Sequence, residues 1–230
     1  MRKEADVARD VAELKFQATP EKGEVSALLV RPGGASHLLV LGHGASTTMR
    51  HATLQAIAER LADVGVATLR YNFPYSEHGK GRDSQAVCTA TVRAAVATAK
   101  TLAPDLTLLA GGHSFGGRMT STAVAESPLE GVRGLVFFSF PLHPAGKPGT
   151  ERADHLGAVD LPLLFLSGSR DDLAEMGLLR PVCDRLKPRA TLHVLEAADH
   201  GYKVLKRERK SGEDVFAEMA RVVRDWATGL

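Results

Sequence analysis

Six short runs, each almost wholly apolar, constrain this chain most: residues 38–41, 66–69, 106–110, 135–138, 163–166 and 192–195. A strand with one face in water alternates apolar and polar side chains, whereas a strand covered on both faces does not. The runs therefore read as strands of a parallel sheet lying between helices. The segments between them carry helical period. Leu54, Ile57, Ala58 and Leu61 share one face, as do Val92, Val96 and Ala99, and Val215, Met219, Val222 and Trp226 near the C-terminus. Upstream, residues 12–18 alternate Leu14 and Phe16 with Glu13, Lys15 and Gln17, and residues 24–30 follow after a short turn. That predicts an antiparallel pair at the start of the sheet. Strands alternating with helices imply a doubly wound α/β sheet of about eight strands, mostly parallel, with helices on both faces.

Composition suits such a core, with 44% apolar and 24% charged residues in 230. Glycine and proline recur at short intervals and form no long linker, so one domain over residues 1–230 is expected. A net charge of +2 gives no reason to expect nucleic acid or an acidic membrane as partner. No run approaches the length of a bilayer span. The first ten residues are polar, with no apolar stretch behind them, so no secretory leader is expected. Cys88 and Cys183 lie far apart and outside any CxxC pattern, which points to a reducing compartment and a cytoplasmic location. The nine histidines include no HExxH or paired ligand spacing, so no metal is implied. Oligomeric state stays open.

In a sheet of this kind functional groups gather where parallel strands end. The run 106–110 leads into Gly111-Gly112-His113-Ser114-Phe115-Gly116-Gly117, which contains Gly-x-Ser-x-Gly. With 22 glycines in the chain, chance supplies about 0.1 such matches, and a strand before it with good helix formers after it adds weight. The turn must lift the serine hydroxyl clear of the strand. Side chains two residues before and two after would collide, and Gly112 and Gly116 remove the collision. Gly117 lets the helix pack closely.

A serine nucleophile needs a base, and the base needs a group to orient it. The run 163–166 is followed by Ser167-Gly168-Ser169-Arg170-Asp171-Asp172, and the run 192–195 by Glu196-Ala197-Ala198-Asp199-His200-Gly201. Asp171 and His200 lie 29 residues apart, about one strand–helix–strand unit, which sets them on adjacent strand ends. His200 is the candidate base. Asp171 is the preferred acid and Asp172 the alternative, with Asp172 expected to cap the next helix. Asp199 is expected to point elsewhere. The run 38–41 ends in Gly42-His43-Gly44-Ala45-Ser46, a loop suited to donating N–H groups to a developing oxyanion; the backbone N–H groups of Ala45 and Phe115 are the candidates. A dinucleotide fingerprint does not fit, because Thr47 stands where a third glycine is needed and Arg70-Tyr71 where an acid is needed. A Gly-Lys-Ser/Thr phosphate loop does not occur, and no cofactor is called for.

With these residues in place, the chain resembles the α/β-hydrolase family, and within it the small lidless hydrolases related to dienelactone hydrolase. That group includes a hydrolase-like domain in a subunit of a chromatin acetyltransferase complex. The likeness runs from about Leu38 to Trp226. It is carried by Leu41-Gly42-His43-Gly44-Ala45, Arg70-Tyr71-Asn72-Phe73-Pro74-Tyr75, Gly112-His113-Ser114-Phe115-Gly116-Gly117-Arg118-Met119 and Phe140-Pro141-Leu142-His143-Pro144-Ala145-Gly146-Lys147-Pro148. The resemblance implies Ser114 as nucleophile, His200 as base and Asp171 as acid. Ser46 departs from it, standing where relatives often have glycine. Only about 20 residues separate the strand ending near Phe140 from the one starting near Leu161, too few for a substantial lid inserted there. Pro141, His143 and Lys147 in that loop, Phe73 and Tyr75 in another, and His43 are candidates to line the cleft; packing at its rim is the alternative. The expected activity is hydrolysis of a small-molecule ester or thioester. The rival is a catalytically idle interaction module on the same fold.

Overall fold

The computed structural model describes residues 9–79 and 81–230. Its strands are β1 (Arg9–Thr19), β2 (Gly23–Pro32), β3 (His37–Gly42), β4 (Val66–Tyr71), β5 (Thr107–His113), β6 (Val132–Phe138), β7 (Leu163–Gly168) and β8 (Ala190–Leu195). Along β3, Leu39 and Leu41 face one apolar layer and Leu38 and Val40 the other. β6 divides the same way, Val136 and Phe138 against Leu135 and Phe137. Neither face of the central sheet meets water, which is why these runs lack polar alternation. One layer takes in Val92 of α3 (Gln85–Leu102), Met119 of α4 (Phe115–Glu126) and Leu179 of α5 (Met176–Arg185). The other takes in Leu54 and Ile57 of α1 (Ala52–Asp63) and Val215 and Met219 of α6 (Val215–Thr228). A short helix α2 (Pro74–His78) follows β4.

The eight strands are ordered β1-β2-β4-β3-β5-β6-β7-β8. β1 and β2 pair antiparallel, β2 is antiparallel to β4, and every later pairing is parallel. From β3 the chain winds first to β4 on one side and then to β5 on the other. The reversal opens a crevice at the carboxyl ends of β3 and β5, where such sheets bind ligands. Between β6 and β7, residues 139–162 contain only the 3₁₀ helix Glu151–Ala158, and there is no large lid. Among the described residues no helix is long and apolar enough to cross a membrane.

Two details differ from the sequence reading. The buried face of α6 is Val215, Met219, Ala220, Val223 and Ala227, with Val222 and Trp226 only partly buried. Trp226 lies against β6 at Gly134, where a Cβ would stand 2.6 Å from the indole Cη2. The small residues turn inward and the large ring spreads over a strand that has no side chain there. Strand β5 also continues through Gly111 and Gly112 to His113 instead of ending before them. A Cβ on Gly111 would lie 1.9 Å from the Val136 carbonyl oxygen, so glycine is required by neighbouring backbone within the sheet.

Candidate active site

Ser114 sits between β5 and α4 with φ 51° and ψ −113°, a left-handed conformation that a serine adopts only when its surroundings impose it. They do so from both ends. Its N–H donates to the Phe138 carbonyl at 2.8 Å, and its own carbonyl accepts from the Arg118 N–H at 3.1 Å. The helix start is pressed against the end of β3: a Cβ on Gly116 would lie 2.3 Å from the Gly42 carbonyl carbon, and one on Gly112 would lie 2.7 Å from the Gly116 carbonyl carbon. Gly116→Ala should therefore destabilise the protein by about 3 kcal/mol or more, since backbone on both sides blocks the methyl group. Urea unfolding should show this loss, while Gly157→Ala, with nothing within 4 Å of the added carbon, stays within about 0.5 kcal/mol of the parent. Equal stability of the two variants would contradict the close approach.

The structure brings the three distant side chains into one hydrogen-bonded row. The Ser114 hydroxyl donates to His200 Nε2 at 2.9 Å. His200 Nδ1–H donates to Asp171, with Oδ1 and Oδ2 each 2.9 Å away. The Asp171 side chain is fully buried and that of His200 is 20% exposed, so the row runs from the interior toward solvent. Asp171 Oδ1 also accepts the Leu173 N–H at 2.9 Å, which fixes the carboxylate plane. The loops after β7 and β8 are tied together: Arg170 N–H donates to the Ala198 carbonyl at 2.9 Å, and Ala197 N–H to Ser169 Oγ at 2.8 Å. A Cβ on Gly168 would lie 2.2 Å from that Ala198 oxygen. Asp199 faces away and accepts the N–H groups of Gly201 and Lys203.

The alternative acid, Asp172, is exposed and does not meet His200. It does not cap α5 either; that helix starts after Glu175 without a side-chain cap, so the expected capping role is corrected. Residues 171–175 make a longer turn than a cap at position 172 requires.

Ala45 follows β3 and Phe115 opens α4, so both border the crevice. Among the described residues no group accepts a hydrogen bond from either N–H, which leaves both donors free for a ligand. The loop carrying Ala45 is braced where Thr47 donates to the Gly44 carbonyl through both its N–H and its hydroxyl, and Ser46 is exposed.

The residues expected to line the cleft are placed differently. His43 has no exposed surface. Its Nε2 accepts the Phe73 N–H at 3.1 Å, so the ring proton is on Nδ1, which donates to the Gly44 carbonyl at 2.7 Å. Burial, with a smaller push from His51, lowers this imidazole to about 4, and it stays neutral. His43 therefore ties the loop after β3 to the loop after β4. Phe73 is also fully buried, with its ring packed edge-on against Tyr71, His43 and Phe115. His143 is buried too, donating from Nδ1 to the Pro144 carbonyl at 2.9 Å and from Nε2 to Glu175 at 2.6 Å. Burial alone would lower its pKa, but those two acceptors outweigh burial and raise it. These three residues and Pro141 are internal supports and present nothing to a cleft. Tyr75 is nearly buried with its ring edge toward Phe115, and Lys147 is exposed.

One supporting residue was not singled out from the sequence. His113, next to Ser114, donates from Nε2 to the His200 backbone carbonyl at 3.1 Å and so holds the loop that carries that imidazole. Burial, aided by the adjacent His200, lowers His113 to about 4. Its place immediately before the serine was the available signal. Among the described residues no group of three or more His, Cys, Asp or Glu side chains is placed to hold a metal ion.

This fold, with a strained serine at the strand–helix turn, is that of an α/β hydrolase. The chain belongs to the α/β-hydrolase domain family, whose model matches residues 35–228. Among solved structures it is similar to dienelactone hydrolase from Anabaena variabilis, with TM-score 0.75 and 19% identity over 96% of this chain and 98% of that one. It is also similar to Est1E from Butyrivibrio proteoclasticus, with TM-score 0.72 and 17% identity over 94% and 98% of the two chains. A lidless α/β serine hydrolase from Xanthomonas campestris matches with TM-score 0.70 and 19% identity over 94% and 95%. At these identities the likeness speaks to the fold.

Proposed function

We propose that this protein is a serine hydrolase that cleaves a small-molecule ester or thioester through an acyl-enzyme intermediate, with Ser114 as nucleophile, His200 as general base and Asp171 as orienting acid. The observation that carries the reading is the unbroken row from Ser114 Oγ through His200 to Asp171, each link 2.9 Å long. Ser114 Oγ attacks the acyl carbon while its proton passes to His200 Nε2. The imidazolium so formed is stabilised by the buried Asp171 carboxylate on its other nitrogen. Negative charge moves onto the former carbonyl oxygen, where the Ala45 and Phe115 N–H groups receive it. Each such donor is worth about 3 kcal/mol in the transition state. Collapse of the tetrahedral adduct expels the alcohol or thiol, which takes the proton from His200. Water, deprotonated by His200, then attacks the acyl-enzyme, releases the acid and restores Ser114.

A fluorophosphonate probe tests this directly, because it phosphonylates only an activated serine. One equivalent should label the native protein, and none should label Ser114→Ala. A folded native protein that resists the probe would overturn the reading in favour of a catalytically idle module.

A further inference from the structure

The two N–H groups assigned to the oxyanion are supported in different ways. Phe115 opens helix α4, so the helix places its N–H. Ala45 lies in a turn that Thr47 closes on the Gly44 carbonyl through both its N–H and its hydroxyl. A turn closed in this way moves as one body, and the contacts at its two ends set its direction. At one end stands His43, whose Nε2 accepts the Phe73 N–H at 3.1 Å. Beyond the other stands Met49, with both of its peptide groups engaged. Its N–H donates to Asn72 Oδ1 at 2.8 Å, and its carbonyl accepts from Arg70 Nη1 at 3.2 Å.

Asn72 is fixed in turn. Its N–H donates to the Ser26 carbonyl on β2 at 3.0 Å, and its Nδ2 donates to Glu77 Oε2 at 2.6 Å. Glu77, near the end of α2, also accepts the Ser26 hydroxyl at 2.6 Å and the Ser26 N–H at 3.3 Å. Burial alone would raise the Glu77 carboxyl, but these bonds and the Lys15 charge outweigh burial and lower it. The group stays ionised and can only accept. Residue 72 must therefore donate toward Glu77 and accept from Met49. An asparagine amide does both, whereas an ionised aspartate has no donor to give.

We propose that Asn72 and Glu77 are positioning residues of the reaction, which aim the Ala45 N–H at the developing oxyanion by holding Met49. Their effect on rate rests on the hydrolase reading, but the bracket of hydrogen bonds does not. Neither side chain needs to touch the substrate. A donor of this kind acts only when held within about 0.5 Å of its productive place, and a closed turn released at one end swings further than that. The charge that the N–H receives develops only in the transition state, so misplacement lowers kcat and spares KM.

The test exchanges the two chemistries. Asn72→Asp sets two carboxylates against each other at the 2.6 Å contact and should push residue 72 away from Met49. Adding Glu77→Gln returns a donor to that contact from the other side and leaves the new carboxylate free to accept the Met49 N–H. For a neutral nitrophenyl ester, Asn72→Asp should lower kcat by about 30-fold or more with KM within about threefold, and the double variant should return to within about fivefold of the parent. Amide hydrogen exchange over residues 43–51, which needs no turnover, should quicken in Asn72→Asp and slow again in the double variant. If Asn72→Asp does not fold, Glu77→Ala carries both readouts, with Glu77→Gln as the variant that restores an acceptor for Asn72. Unchanged exchange in the single variant refutes the bracket. Quickened exchange with kcat intact, or a loss of kcat that the rescuing variant does not recover, refutes the positioning role. If exchange responds as expected and the parent neither hydrolyses an ester nor takes up a fluorophosphonate, the hydrolase reading fails while the bracket stands.

Discussion

Replacing Asp171 by Asn should lower kcat/KM for an aryl ester by about 10⁴-fold, while Asp172→Asn should leave it within about twofold. The magnitude follows from where the amide would have to sit. Asp171 Oδ1 receives the Leu173 N–H, and both carboxylate oxygens face His200 Nδ1. An asparagine keeps one oxygen. If that oxygen stays with Leu173, the amide nitrogen faces Nδ1 and donates to it. The imidazole then carries its proton on Nε2 and points a donor at Ser114, where an acceptor is needed. If the amide flips, two N–H groups confront each other in a site with no solvent access. Either way the serine loses its base or the loop loses its anchor. The assay is steady-state hydrolysis of a neutral nitrophenyl ester. A large loss in Asp172→Asn with none in Asp171→Asn would reverse the assignment of the acid.

The fold was legible because its strongest signal is local and repeated. Two-sided burial leaves few polar residues in the central strands, and the ends of those strands are marked by glycine-rich turns at Gly42, Gly112 and Gly168. The row Ser114–His200–Asp171 was legible for the same reason, since parallel strands place their successors at the same end of the sheet. Depth in a loop carries no such mark. His43, Phe73 and His143 follow strand ends and have the composition of residues that face a cleft, yet the loops fold inward and each side chain ties one loop to another. The facing of α6 was misjudged because Trp226 is large and apolar, while its position is decided by Gly134 on a distant strand.

Acid should destabilise this protein steeply between about pH 6.5 and pH 4.5, and two buried histidines, neither of them the proposed base, account for it. His43 and His113 are both held near 4 by burial first, against about 6.5 in an unfolded chain. In that window the unfolded state takes up a proton at each residue and the native state does not. Stability therefore falls as pH falls below the unfolded value, by about 3 kcal/mol for each histidine on reaching the folded value. Together that approaches the whole stability of an ordinary domain, about 5–15 kcal/mol. His143 works in the opposite direction. Its folded pKa is raised by Pro144 and Glu175, so its contribution is fully present below the unfolded value and is lost as pH rises through the folded one. It is therefore already complete at the top of the window and leaves the loss below about pH 6.5 to His43 and His113. Urea unfolding at half-unit pH steps should show close to two net protons bound on unfolding near pH 5.5, from His43 and His113. His43→Gln should be less stable at pH 7.5, because its amide reaches only imperfectly between Phe73 and Gly44, and its stability should depend less on pH across the window. A native protein whose stability is flat from pH 6.5 to 4.5 would mean that both imidazoles can be protonated in place, and the reading of them as neutral internal struts would fail.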